Sequence, residues 1–374
     1  MKLLYTNFHT GDGGGHTTYI RELAAALAAR HEVHVAAPPG SRLNREARAL
    51  PGVFVLDQPF PNGLKKWKAR SRARAKLAEY LRTQAFDLVH VNGSADHRLV
   101  LSAMPPKRPA LVWTKHNSKV VRGLGAWLRA RHTDQVIAVC DYTRRELLRT
   151  AYRRCRLDTV YNGVDIDRWS PWPADLVAAE RARWNDGDDS LLLLGSNAGT
   201  ASYKGWMDLL EALALLPEPT RRRVRVLLAG VPPKAEHLAR VAELGLSGQV
   251  VFPGVLTDPR PLVAAFDAGF VLSYDVETIS FACREMMAMG KPVLLTDYAG
   301  LPENLEVGVD GWLVPVRDRA AMAAAVTTML AERDALPAMG EAARRHAERE
   351  FGLPLFVERT EAVYERLLAG RQAG

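Results

Sequence analysis

Residues 1–28, MKLLYTNFHTGDGGGHTTYIRELAAALA, read as one complete unit of an α/β fold. Residues 2–8 have strand character, residues 11–15 are a loop of four glycines and one aspartate, and residues 19–28 return apolar side chains at helical spacing. The same alternation continues through strand-like runs at 33–37, 53–56, 88–92, 110–114 and 135–139, each followed by a helical segment. Such alternation predicts a doubly wound parallel sheet. The pattern restarts with runs at 190–195, 224–230, 250–253, 269–273 and 292–296, and with helices at 206–216 and 319–332, which predicts a second Rossmann-like sheet.

A chain of 374 residues is too long for one ordinary core, so two domains facing across a cleft are expected. The turn-rich, proline-punctuated stretch from Tyr161 to Pro173 marks the connection. The N-terminal domain is expected at 1–168 and the C-terminal domain at 169–354. A last helix, within 355–374, is long enough to return to the first domain.

Composition excludes several classes. With 48% apolar and 25% charged residues the chain is ordinary globular protein, and no apolar run approaches the roughly 18 residues a spanning helix needs. The start reads as a buried strand and not a signal peptide, so cytoplasmic residence is the expectation. Cys140, Cys155 and Cys283 have no CxxC spacing, and the ten histidines include no HExxH. No protein-bound metal and no cofactor are expected. The net charge of +8 hides a division: residues 1–170 hold 29 Lys and Arg against 14 Asp and Glu, a charge of +15, which leaves −7 for the remainder. The densest basic stretch is residues 64–82, LKKWKARSRARAKLAEYLR, which combines eight cations with Leu64, Trp67, Leu77, Tyr80 and Leu81. An interfacial helix on anionic lipid is one reading of it, a solvated helix the other.

Four segments carry chemistry. The glycine loop before His16 presents backbone N–H groups and a helix start, where an anion binds, although its spacing is neither GxGxxG nor GxxxxGK[ST]. Lys115, His116 and Asn117 follow a strand, at the edge where open α/β sheets bind ligands. In residues 195–205, GSNAGTASYKG, Lys204 stands at a helix start, an unfavourable place for a cation unless an anion is present. Residues 274–292, YDVETISFACREMMAMGKP, read as strand end, turn, helix and stop, with Thr278 or Ser280 as cap and Gly290 and Pro292 ending it. That helix is apolar nearly all round, so Glu285 is expected to be buried, where a carboxylate needs a partner. Vicinal ribose hydroxyls suit it, and a salt bridge to a distant arginine is the alternative.

Together these residues resemble the retaining glycosyltransferases of glycosyltransferase family 4, which have the two-domain GT-B fold. The resemblance runs through Gly13-Gly14-Gly15, His116, VCDYTRREL from Val139, YNGVDIDRWSP from Tyr161, Lys204-Gly205, VVFPGVLTD from Val250, the Glu277/Glu285 pair, Glu303 and the strand beginning at Asp310. It implies a nucleoside-diphosphate sugar donor, UDP- or GDP-linked, held mainly by the C-terminal domain. The acceptor, a glycan or glycolipid of bacterial cell-surface polysaccharide or lipopolysaccharide assembly, would be held mainly by the N-terminal domain.

By the same resemblance Glu285 would bind the donor ribose and Lys204 the diphosphate, while Glu277 and His116 would contact the donor sugar. Gly14, Gly15, Ser196, Asn197, Thr278, Ile279, Ser280 and Phe281 would line the nucleotide sugar, and Gly254 and Val255 the base. His16, Lys115 and Asn117 would meet the acceptor. Most relatives have an arginine a few residues before the lysine; here Gly195-Ser196-Asn197 has none through Tyr203, so another basic group or the neutral Ser196, Asn197 and Thr200 must replace it. Sugar-nucleotide epimerases of the same fold, and a catalytically silent nucleotide-sugar binder, are the competing readings. The sequence pI of about 9.5 raises nucleic-acid binding as a further one, but no motif accompanies it, and no nucleic-acid partner is expected. A peripheral position on the inner membrane is expected if residues 64–82 meet lipid.

Overall fold

The computed structural model describes residues 1–372, and of Leu64 the backbone alone; Ala373 and Gly374, at the end of the expected returning helix, lie outside the described residues. The chain forms two compact units, Met1–Gly163 with Leu353–Gly374, and Val164–Gly352.

The first unit is built on β1 (Lys2–Thr6), β2 (Glu32–Ala37), β3 (Val53–Asp57), β4 (Leu88–Val91), β5 (Ala110–Lys115), β6 (Gln135–Ala138) and β7 (Arg156–Thr159). All pair in parallel, in the order β3-β2-β1-β4-β5-β6-β7. Leu3, Val33 and Leu88 stand side by side in register. Leu4, Val89, Val91, Leu111 and Val136 are the apolar centre, closed over by helices on the sheet faces. Strand β7 is absent from the sequence reading: of its residues, RLDT, only Leu157 is apolar and none is fully buried, because an edge strand pairs on one side only.

The second unit holds β8 (Leu192–Ser196), β9 (Val224–Ala229), β10 (Val250–Gly254), β11 (Ala268–Val271), β12 (Val293–Thr296) and β13 (Gly311–Val314), again all parallel, in the order β10-β9-β8-β11-β12-β13. Leu192, Leu194, Val226 and Phe270 meet Trp206, Leu209 and Leu213 from the helix Trp206–Ala214 in one core. That helix is entered through Gly205 at φ +70°, where a Cβ would lie 2.0 Å from the Leu272 carbonyl oxygen; only glycine fits.

The basic stretch begins with a 3₁₀ turn, Leu64–Lys66, and continues as the α-helix Trp67–Gln84. It buries only Ala73, Leu77 and Leu81, while Trp67 is 61% exposed. The final helix, Leu353–Gln372, belongs to the first unit and is fastened there by buried polar contacts. The Tyr364 hydroxyl is hydrogen-bonded to the Tyr5 hydroxyl at 3.0 Å and to His90 Nδ1 at 2.6 Å, and His90 Nε2 reaches Thr114 Oγ1 at 2.6 Å. Closer to solvent, Glu361 holds Arg30 and His31, and Arg371 holds Asp134. Among the described residues no helix is long and apolar enough to cross a membrane.

Removing the Tyr364 hydroxyl strands two buried partners, which costs about 1–3 kcal/mol. Tyr364→Phe is expected to lower the melting temperature and the urea midpoint of the first unit; unchanged unfolding would show that the chain through His90 contributes nothing to holding the last helix.

Candidate functional site

Ligands of parallel sheets bind beyond the carboxyl ends of the strands, where the strand order reverses and two neighbouring loops diverge. In the first unit the reversal lies between β1 and β4, and in the second between β8 and β11.

At the reversal in the second unit, Ser196 ends β8, the loop after it carries Asn197 and Lys204, and the loop after β11 carries Glu277. Lys204 Nζ is ion-paired with Glu277 Oε2, and Ser273 Oγ donates to the same oxygen across 3.5 Å. Glu277 is thus tied back to Lys204, where the sequence reading had given the two separate tasks. Asn197 Nδ2 donates to Glu285 Oε2 at 2.7 Å. The loop that lacks the expected arginine therefore places a neutral amide on the glutamate of the helix Phe281–Ala288. Ser196 Oγ accepts from the Ala198 N–H within the loop, and Thr200 Oγ1 donates to the Val231 carbonyl beyond β9.

The expectation that Glu285 is the buried charge of this helix is corrected. Arg284 is fully buried and Glu285 is half-buried. The Arg284 guanidinium lies 3.9 Å over the Phe351 ring and its Nε donates to Asn304 Oδ1 at 2.8 Å. Contacts from elements distant in the chain set the rotation of the helix, which the apolar pattern alone left open. Ser280, not Thr278, caps it, accepting from the Cys283 N–H, and Gly290 follows its end at φ +71°. Thr278, Ile279 and Ser280 are buried in the turn before it, and no backbone carbonyl of the described chain accepts from the N–H groups of Ile279, Ser280 or Phe281. Unmatched N–H groups at a helix start favour an anion.

Strain collects on the same edge. Val276, Ala299 and Arg317, in the loops after β11, β12 and β13, all have positive φ, and for β-branched Val276 at +62° that is costly. Arg317 stacks 3.8 Å over the Tyr274 ring, with no carboxylate partner among the described residues. Gly254 and Val255 sit at the end of β10, and Val255 is 73% exposed. A cavity of about 920 Å³ lies elsewhere: Asp189, Asp267 and Lys291 line it from the amino ends of β8, β11 and β12, Arg181 pairs with Asp267, and Lys291 donates to the Ala264 and Phe266 carbonyls.

At the reversal in the first unit, three imidazoles converge. The rings of His9 and His16 are 4.8 Å apart and those of His16 and His116 4.2 Å. His116 Nε2 is hydrogen-bonded to Asn92 Oδ1 at 2.8 Å. Burial, reinforced by the His9 and Lys115 charges, pushes His16 down to about 3, and His116 is lowered well below its usual range for the same reasons. His116 and His16 were legible in the sequence; Asn92 and His9 were missed, although Asn92 closes a strand just before a Gly-Ser turn, the same strand-end signal that singled out His116. Lys115 is buried and turned onto Asn117, donating to its Oδ1 and carbonyl, and burial lowers its amine to about 7. Gly14 opens the helix Gly14–Leu27, its N–H donated to Asp12 Oδ2 at 2.9 Å, and Gly15 follows it on the surface. Among the described residues no group of three or more His, Cys, Asp or Glu side chains is placed to hold a metal ion.

The sequence profile described as Glycosyltransferase Family 4 matches residues 13–168, and that of Glycosyl transferases group 1 matches residues 189–332. A D-inositol 3-phosphate glycosyltransferase of Streptomyces scabiei is 32% identical, over 95% of this chain and 87% of its own. A GDP-mannose-dependent alpha-(1-6)-phosphatidylinositol monomannoside mannosyltransferase of Mycolicibacterium smegmatis is 29% identical, over 92% and 93%. The crystal structure of Anabaena Alr3699/HepE in complex with UDP and glucose superposes with a TM-score of 0.83 over 98% of this chain and 99% of its own, at 20% identity, a likeness of fold.

His16, His90 and His97 are each held down to about 3 by burial, and His116 lower than its usual range. Between pH 6.5 and 3 the unfolded chain takes up protons that these folded histidines refuse, so stability fully present above pH 6.5 is lost as pH falls, by about 1.4 kcal/mol per pH unit for each. Buried Asp96, raised to about 7, opposes them with a single proton. The melting temperature is expected to drop steadily from pH 6.5 to 5; a flat profile would mean that these rings are hydrated and titrate normally.

Proposed function

The chain belongs to the glycosyltransferases of family 4, with the family's two domains in order, and on that premise we propose that it is a retaining enzyme moving a hexosyl or hexosaminyl unit from a UDP- or GDP-linked donor to a hydroxyl of a glycan or glycolipid acceptor. The observation that carries this reading is the meeting of Lys204 with Glu277, and of Asn197 with Glu285, at the strand reversal of the second unit.

A diphosphate entering there competes with Glu277 for the Lys204 ammonium. It takes the cation, together with the N–H groups before the helix Phe281–Ala288, and releases the Glu277 carboxylate to accept from sugar hydroxyls. Glu285, held by Asn197, accepts from the ribose hydroxyls. Ser196, Asn197 and Thr200 are neutral, and Arg317, stacked on Tyr274 with no carboxylate partner among the described residues, supplies the second positive charge on the leaving group. In the transfer the acceptor oxygen attacks the anomeric carbon on the face from which the phosphate leaves. The C–O bond to phosphate breaks, and the departing phosphate oxygen takes the acceptor's proton. Neutral His116 contacts the donor sugar, and His16 the acceptor. No step calls for a metal or cofactor.

Two relatives have phosphorylated inositol compounds in their names. A groove of about 790 Å³ in the first unit fits a phosphate-bearing acceptor presented at an anionic membrane surface: Arg70 and Arg74 meet Arg98 there, with Trp67 at the rim. Burial and the charges of Arg129 and Arg70 hold the Arg98 guanidinium below its usual value, a crowding of cations that an anion relieves. The three free cysteines agree with a cytoplasmic setting.

Product analysis with UDP- and GDP-sugars is expected to return a glycosylated acceptor; an isomerised donor would replace this reading with an epimerase. In thermal-shift titrations Lys204→Ala should abolish most of the stabilisation by UDP or GDP, and Arg317→Ala part of it. Glu277→Gln should cut turnover by about 100-fold or more while sparing nucleotide affinity, and equal losses in both would contradict its role. Vesicles containing phosphatidylglycerol are expected to sediment the protein at low salt and release it at high salt; no association at low salt leaves the helix Trp67–Gln84 merely solvated.

A further inference from the structure

Asn92 is buried, one residue beyond β4. Its side-chain amide donates to the carbonyls of Thr6 at 3.2 Å and His90 at 3.4 Å, and its backbone N–H donates to Asp96 Oδ2 at 2.8 Å. Asp96 is held in turn by the Thr6 hydroxyl at 2.8 Å. Carbonyl oxygens only accept, so an amide whose N–H groups lie against two of them cannot be turned round, and Oδ1 must be the atom that faces His116 Nε2 at 2.8 Å. An oxygen without a proton can only accept there. His116 Nε2 therefore carries the hydrogen, and Nδ1 keeps its lone pair.

We propose that Asn92 is a positioning residue that holds His116 as the neutral, Nε2-protonated imidazole, so that the ring meets the substrate without a charge and does not recruit an anion. Asn92 is assigned on geometry, while the identity of the substrate rests on the glycosyltransferase reading above. Neighbouring groups act in the same direction. The charges that face His116 from other elements are His9 after β1, His16 on the helix Gly14–Leu27, His90 on β4 and Lys115 on β5, and each opposes an imidazolium. Tyr19 packs edge-on at 4.6 Å. Asp96, the nearby carboxyl, points its bonds to Asn92 and Thr6. His16 packs tilted against His116 with its ring centroid 4.2 Å away, and its buried Nδ1 has no hydrogen-bond partner among the described residues.

Ring-¹⁵N histidine labelling of the full chain, read through two-bond ¹H–¹⁵N correlations and assigned by the signal lost in His116→Gln, tests the tautomer with or without activity. The wild type is expected to show His116 neutral with the proton on Nε2 from pH 8 to 5. Asn92→Asp keeps the acceptor but adds a charge, so His116 should take up a proton near neutrality and kcat should fall as pH drops through that range, with no such limb in the wild type. Asn92→Ala should lower kcat about tenfold, the worth of one hydrogen bond, with nucleotide affinity unchanged. An Nδ1-protonated His116 in the wild type would overturn the proposal, even should Asn92→Asp fail to fold. So would an Asn92→Asp protein whose His116 titration and pH profile match the wild type. A chain that shows the Nε2 tautomer but transfers no sugar would refute the function and leave the assignment of Asn92 standing.

Discussion

Every strand of both sheets is paired in parallel, and that constraint determines where chemistry is possible. A parallel strand needs a crossover to reach its neighbour, the crossovers are helices, and the helices cover both sheet faces. What stays open is the row of strand ends, and among these only the reversals of strand order, β1/β4 and β8/β11, separate two loops enough to admit a ligand. His16, His116 and Asn92 lie at the first reversal, and Lys204, Glu277, Asn197 and Glu285 at the second. Residues spread over most of the chain are gathered into two clusters by topology.

The clusters differ in their electrostatics. In the second unit opposite charges satisfy one another, as in Lys204 with Glu277. In the first unit the edge is neutral: burial strips the imidazoles of charge and Lys115 is turned onto Asn117. The helix Trp67–Gln84 and Arg98 hold part of the positive charge of the first half on another face, where Glu79 pairs with Arg82.

Backbone strain follows the same geography. Val276 in the left-handed region is held by the turn that carries Glu277, between the end of β11 and the Ser280 cap. Strain of about 1–3 kcal/mol persists only where the surroundings fix it, and the core beneath β11 is dense enough to do so. The buried Arg284, bonded to Asn304 and stacked on Phe351, fixes the helix that follows. The glutamates are thus set by a rigid base.

The sequence by itself determined the two α/β domains, because long apolar runs buried on both faces, glycine loops and helical periodicity are local signals that survive without tertiary context. It also located His116, Lys204, Glu277 and Glu285, since strand ends and helix starts can be read residue by residue. The tertiary structure alone decided the rest. Strand β7 is mostly polar and needed β6 to become a strand. That Arg284 and not Glu285 is the buried charge depends on which face of one helix meets Asn304 and Phe351, a rotation of one residue that an all-apolar pattern cannot specify. Asn92 took its place only when β1, β4 and β5 came side by side, for a hydrogen-bond network spanning residues 6 to 116 has no period or motif along the chain; it exists only in three dimensions.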